Sequence, residues 1–109
     1  MLIEFDQIPV KIVPNMRGGE KEVAVRMFQD ENGKIMRGKL IPGATLGMHT
    51  HEDSSEVIYI LSGAGKVLYD GGEEPLEAGS CHYCPKGHAH SLMNTGAEDM
   101  EFLAVIPNQ

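Results

Sequence analysis

Three histidines and a glutamate form the most chemically suggestive grouping in the chain. His49 and His51 stand two apart, so an extended segment puts both imidazoles on one face, about 6–7 Å apart at the backbone. That reach lets both close on one ion at about 2.1 Å. Glu56 lies five residues beyond His51, the wrong parity for an unbroken strand, but the intervening Glu52-Asp53-Ser54-Ser55 is polar turn chemistry. A turn there lets the next strand begin with Glu56 facing inward beside Ile58 and Ile60. His90 follows the rigid Pro85-Lys86-Gly87 turn and opens another strand, pointing with Leu92 and Asn94. Three strands would then aim four ligands at one point. A nitrogen-rich set with a single carboxylate suits iron(II), manganese(II), nickel(II) or zinc, whereas calcium and magnesium prefer all-oxygen cages. On an octahedral ion, four protein ligands leave two adjacent positions for water, substrate or dioxygen, which is an open, catalytic type of arrangement.

The elements that must position these residues are short strands. Thirteen glycines and six prolines punctuate the 109 residues, and no segment of helical length carries a three-four apolar period. Strands are predicted at Glu22–Phe28, Ile35–Ile41, Glu56–Leu61, Lys66–Tyr69, Gly79–Cys84, Ser91–Asn94 and Met100–Ile106. Asp70-Gly71-Gly72 is a strong hairpin turn signal, and a second turn is expected over Glu31-Asn32-Gly33-Lys34. Ile8–Val13, limited by Pro9 and Pro14, reads as an edge strand. Strands at this spacing indicate an all-β sandwich or barrel.

The two residue groups also carry a resemblance. Gly43, His49, His51, Glu56 and Gly63 form G-x5-H-x-H-x4-E-x6-G, which is similar to the first conserved motif of the cupin superfamily. Gly79, Pro85, Gly87, His90 and Asn94 form G-x5-P-x-G-x2-H-x3-N, which resembles the second cupin motif at every defined position. Fifteen residues separate Gly63 from Gly79, similar to the shortest, microbial single-domain cupins. The resemblance implies a small jelly-roll barrel (a double-stranded β-helix) of two antiparallel sheets, of the RmlC-like type. It places the ligands of one divalent transition metal, iron, manganese, nickel or zinc, on His49, His51, Glu56 and His90. One single cupin domain over 1–109 is expected, with motif one at 43–63, motif two at 79–94 and N-terminal strands and arm at 1–34. Many cupins have an acidic residue after the glycine of motif two; Ser80 stands there, which touches a turn and not the ligands.

Composition narrows the partners. A formal charge of −7 argues against a nucleic-acid surface, which needs a basic stripe. No apolar run approaches the roughly 20 residues that span a bilayer, and the start Met1–Asp6 has no basic region or signal-like stretch. The expectation is a cytoplasmic protein with neither membrane nor nucleic-acid partner. Cys81 and Cys84 have C-x-x-C spacing, but positions three apart on a strand face opposite ways. They are read as buried free thiols rather than a redox or zinc pair.

Several other residues stay open at this stage. His82 and His88 read as surface or hydrogen-bonded imidazoles rather than ligands, and Tyr59 as outward-facing. Either Cys81 with Tyr83 or His82 with Cys84 lines the barrel. Met36, Met48, Met93 and Met100 read as core filling. Arg37 and Lys39 share a strand face; an inner face would bind an anionic substrate, an outer one would be solvated. No residue beyond the ligands stands out as a general base, so the catalytic residues are unknown. A barrel this small leaves edge strands and apolar outer faces, which pairing in a homodimer would cover. The leading functional expectation is a metal-dependent enzyme on a small polar organic molecule, of dioxygenase, isomerase or lyase type. The alternative is a non-catalytic cupin that binds or senses a sugar or metabolite.

Overall fold

The computed structural model describes residues 1–109. Ten strands carry the architecture: β1 (Lys11–Pro14), β2 (Glu22–Asp30), β3 (Gly33–Leu40), β4 (His49–Thr50), β5 (Glu56–Ser62), β6 (Ala64–Tyr69), β7 (Gly72–Glu77), β8 (Cys81–Cys84), β9 (Ala89–Met93) and β10 (Met100–Pro107). They form two antiparallel sheets, one of six strands in the order β1-β2-β3-β10-β5-β8 and one of four in the order β4-β9-β6-β7. Single 3-10 turns at Phe5–Gln7 and Met16–Gly18 are the only helical pieces. No helix is long and apolar enough to cross a membrane.

Side-chain alternation along each strand divides inside from outside. On β3, Met36 and Leu40 are buried while Arg37 and Lys39 are exposed; on β5, Glu56, Ile58 and Ile60 are buried; on β10, Met100, Phe102 and Ala104 are buried. Register stacks these inward residues into levels. Leu40 pairs with Met100, Gly38 with Phe102 and Met36 with Ala104, while Phe102 and Ala104 pair on their other side with Ile60 and Ile58. Val67, Leu76 and Leu92 close the core from the smaller sheet. The apolar levels fill one end of the barrel. Towards the other end the inward positions become Glu56 on β5, His90 on β9, Ile106 on β10 and Lys34 on β3, which pairs with Ile106.

Most strands fall where the residues predicted them, and Lys11–Pro14 is an edge strand as Pro9 and Pro14 suggested. Strand β7 was not predicted. Its sequence Gly-Glu-Glu-Pro-Leu-Glu buries only Leu76, so it lacks an apolar alternation, and it survives as an edge strand where Pro75 needs no ladder bond on its free side. Two further expectations are corrected. Cys81 is exposed rather than buried, because β8 turns Cys81 and Tyr83 outward and His82 and Cys84 inward. Met48 is 54% exposed beside β4 and fills no core, and Met93 is only half-buried, whereas Met36 and Met100 are packed inside.

Candidate metal centre

The four residues singled out by spacing meet at the open end of the barrel. Their nearest ligand atoms all lie within 4.8 Å of one another. His49 and His51 flank the exposed Thr50 on one face of the β4 segment, Glu56 starts β5 after the Glu52–Ser55 bend, and His90 sits on β9 opposite His49 in register. The three imidazole centroids form a nearly equilateral triangle with sides of 4.9, 4.7 and 4.9 Å, every pair edge to face. One carboxylate oxygen of Glu56 faces all three rings: Oε1 lies 2.8 Å from Nε2 of His51 and of His90 and 3.8 Å from Nε2 of His49. His51 Nε2 and His90 Nε2 are 2.9 Å apart.

The outer nitrogens determine what the inner ones can do. His49 Nδ1 donates to the Gly47 carbonyl at 2.8 Å, which leaves its Nε2 as a lone pair. Behind His90 runs a relay. His82 Nδ1 donates to Glu74 Oε1 at 2.9 Å, and His82 Nε2 then accepts from His90 Nδ1 at 3.0 Å. With both rings neutral, that order of protons leaves His90 Nε2 as a lone pair too. His51 Nδ1 bonds Ser54 Oγ at 3.0 Å, so the bend between motif residues also holds the His51 ring. The centre is therefore rich in acceptors: lone pairs and a carboxylate gathered at 2.8–2.9 Å. Such a set is held together by a positive charge among its members, a proton or a metal ion. The donor types and their spacing fit a divalent transition metal, for which second-partner hydrogen bonds to ligating histidines are the rule.

Of the two sequence expectations for His82, surface or hydrogen-bonded, the second holds: it is buried, with both nitrogens engaged. One nitrogen each of His82 and His90 makes a second, smaller cluster with Cys84 Sγ. Burial, reinforced by the Glu56 and Asp70 charges, pushes the Cys84 thiol up to about 11. Cys84 Sγ lies 3.5 Å from the His88 carbonyl, behind the His90 ring. His88 lies at the surface, with Nδ1 3.0 Å from Asp70 Oδ1. Tyr59, Arg37 and Lys39 face outward, the last two beside Glu101 and Asp99.

A cavity of about 140 Å³ opens onto His49, His51 and Glu56. Its wall is apolar, built from Met16, Met27, Met36, Leu46 and Ile106, and two cations, Arg17 and Lys34, also line it. Of these seven only Met36 stands out in the sequence, as core filling; the structure has it buried and lining the cavity as well. The β3 alternation carried a signal for Lys34, which shares the parity of Met36 and Leu40; Arg17 had none, because it lies on an irregular loop. That loop is strained. Asn15, Arg17 and Lys21 have φ of 51°, 56° and 59°, a left-handed region that costs an L-residue such as Arg or Lys roughly 1–2 kcal/mol. It is held by close approach to the segment before β4. Gly47 N donates to Met16 O at 3.0 Å and Thr45 N to Glu20 O at 3.0 Å. A Cβ at Gly47 would collide with the Arg17 carbonyl, and one at Gly19 with the Thr45 carbonyl.

Electrostatics give the centre a pH dependence. Burial pushes the His90 imidazole below its ordinary 6.5, and hydrogen bonding to Glu56 only partly reverses this. Burial also pushes Glu56 up, but hydrogen bonds with His49, His51 and His90 overrule it and hold the carboxyl well below its ordinary 4.5. In both cases the folded chain binds its proton less readily than the unfolded one. Stability is therefore present above the unfolded values and lost as pH falls. For protein kept metal-free with a chelator, the urea midpoint should be level above about pH 7. It should fall once the pH drops below 6.5 and fall faster below 4.5. Urea titrations across this range check it; a midpoint that stays level down to 4.5 contradicts a buried neutral His90.

Comparison with known proteins agrees with the geometry. The cupin domain family matches residues 36–106. An oxalate-binding protein of Thermotoga maritima is 38% identical over 113 residues, covering 97% of this chain and 93% of the relative. The crystal structure of a predicted oxalate decarboxylase from Thermotoga maritima superposes with a TM-score of 0.93 at 36% identity, covering 100% of both chains. A glucose-6-phosphate isomerase of Thermococcus gammatolerans is 39% identical over 64 residues, which is 54% of this chain and 34% of that enzyme. The chain belongs to the cupin family, with the small two-sheet barrel of that fold.

Proposed function

We propose that this cupin holds one divalent transition metal on His49, His51, Glu56 and His90 and takes a small organic acid, oxalate first, as ligand on that ion. The observation that carries the reading is the acceptor-rich centre, three imidazoles and one carboxylate in which the outer hydrogen bonds of His49 and His90 leave lone pairs turned inward. The oxalate-binding relative supports the ligand class. When bound, iron, manganese, nickel or zinc would supply Lewis-acid polarisation of a chelated carboxylate or enediol, the starting point for dioxygenase, isomerase or lyase chemistry. The chain's own residues do the rest of the positioning. Gly47, Ser54 and the Glu74–His82 relay orient the three rings, and the methionine-lined wall keeps bulk water from the ligand face.

Two versions of this reading differ in turnover. A metal-dependent enzyme is the first. The second, a non-catalytic binding cupin, is favoured by one observation: apart from the proposed ligands, no carboxylate or imidazole lines the cavity to serve as general base. A sugar isomerase fits less well, since 140 Å³ lies below the range of sites for larger ligands.

Elemental analysis of protein purified without added metal or chelator tests the centre, beside a His49→Ala, His51→Ala double variant. Near-stoichiometric iron, manganese, nickel or zinc that disappears in the variant is expected; no metal in either, even after reconstitution, sinks the proposal. Oxalate added to the loaded protein then separates binding with turnover from binding alone. The relay should show in His82→Ala, which is expected to weaken metal affinity by about 10–100-fold in a chelator competition while the fold persists. Unchanged affinity would remove His82 and Glu74 from the centre. The same proposal pairs two copies through outward apolar residues such as Tyr59, Leu61 and Tyr83 on β5 and β8. Light scattering at micromolar concentration should give twice the 11.9 kDa chain mass; a monomer mass rules the homodimer out.

A further inference from the structure

We infer that Lys34, with Arg17, sets the ligand class of the cavity: a compact dianion whose near end meets the metal centre and whose far end rests on the Lys34 ammonium. The inference rests on the proposed function in taking His49, His51, Glu56 and His90 as the seat of the ion.

Register places Lys34. It pairs with Ile106 on β10 and Gln29 on β2, and it continues the inward sequence Met36, Gly38, Leu40 at the open end of β3. It is half-buried against the cavity, yet it makes no ion pair or side-chain hydrogen bond, and neither does Arg17. The other unpaired cations, Lys11 and Lys86, are exposed and lie away from the cavity. Lys21, Arg26, Arg37, Lys39 and Lys66 are all engaged by a carbonyl or carboxylate, and acidic residues outnumber basic ones by 16 to 9. Of those acids only Glu56 lines the cavity. Two unpaired cations thus face a chamber whose one carboxylate belongs to the metal centre. With a divalent ion bound, the chamber carries an excess of positive charge that a dianion neutralises better than a monoanion.

The wall between the two ends sharpens the class. Met16, Met27, Met36, Leu46 and Ile106 offer no strong hydrogen-bonding group. A polyhydroxylated ligand would leave its hydroxyls unpaired there, which discriminates strongly against it. A volume of 140 Å³ matches about five water molecules at ~30 Å³ each, room for an acid of a few carbons. Arg17 is coupled to the same centre through the backbone. The loop that holds it at φ 56° is hydrogen-bonded to Gly47, whose carbonyl orients His49. One residue therefore ties the rim cation to a ligand ring, and the strained conformation is kept where a cation is placed.

The test is calorimetric titration of oxalate, and of the monoanion glyoxylate, into manganese-loaded wild type, Lys34→Met, Lys34→Arg and Arg17→Gly, with metal content measured for each. Wild type is expected to prefer oxalate. Lys34→Met, which conserves volume and adds to the methionine wall, should lose about tenfold or more in oxalate affinity, with a much smaller loss for glyoxylate and unchanged metal content. Lys34→Arg should restore most of the preference. Arg17→Gly relieves the backbone strain, so it should weaken oxalate binding while the melting temperature holds or rises. Undiminished oxalate affinity in Lys34→Met, or an equal loss for both acids, overturns the inference and leaves the metal centre standing. Loaded wild type that binds neither acid overturns it together with the organic-acid ligand. Wild type that takes up no manganese, nor any other ion in the elemental analysis, removes the metal centre itself and the inference with it.

Discussion

Burying the Glu56 carboxylate among three imidazoles is the constraint around which the open end of this barrel is organised. A buried carboxylate is costly unless opposite charge or donors surround it. Here Nε2 of His51 and of His90 both lie 2.8 Å from one Glu56 oxygen. The rings can take up that role only with a proton or a metal ion among them, while their outer nitrogens are satisfied elsewhere. Gly47, Ser54 and the Glu74–His82 pair do this, each from a different segment of chain. The centre therefore draws on β4, the Glu52–Ser55 bend, β5, β7, β8 and β9 at once. A change at Glu74, exposed on an edge strand, can reach the buried His90 ring two hydrogen bonds away.

The two ends of the barrel divide the work. Levels such as Gly38–Phe102–Ile60 and Leu40–Met100 close one end with apolar packing, which supplies the burial that lets such a small chain fold. The same strands, continued a residue pair or two further, deliver Glu56, Ile106 and Lys34 to the other end. Because period-two alternation is unbroken along β3 and β5, a residue that packs the core and a residue that faces the centre differ only in how far along the strand they lie. The core thereby sets the depth and direction of the site residues, and a one-residue slip of β5 would turn Glu56 out to solvent.

The loop over residues 15–21 plays a different part. It sits outside the ladder of either sheet and holds three non-glycine residues in left-handed conformation. Its position depends on two glycines, Gly19 and Gly47, that let backbones approach more closely than any side chain would permit. Strain of this kind persists where the surroundings over-determine it. Here the surroundings are the segment that leads into His49.

Much of this was legible in the residues themselves. Period-two alternation and Gly/Pro punctuation predicted most strands, because burial of one face demands that pattern whatever the partner strand. The His49/His51 spacing, the parity break before Glu56 and the Pro85–Gly87 turn before His90 named the four residues that the fold brings together. Other features needed the third dimension. The faint alternation of β7 could not be told from a loop, since an edge strand carrying Pro75 has almost no apolar signal. Cys81 looked like its partner Cys84 until β8 turned it outward. His82 took its place in the centre only when Glu74, eight residues away on another strand, came within hydrogen-bonding distance. Arg17 and Lys34 reach one cavity from a loop and from the end of a strand. Local pattern reports which face a residue occupies; it carries nothing about which distant segment packs against that face, and that pairing is settled only by the closure of the two sheets.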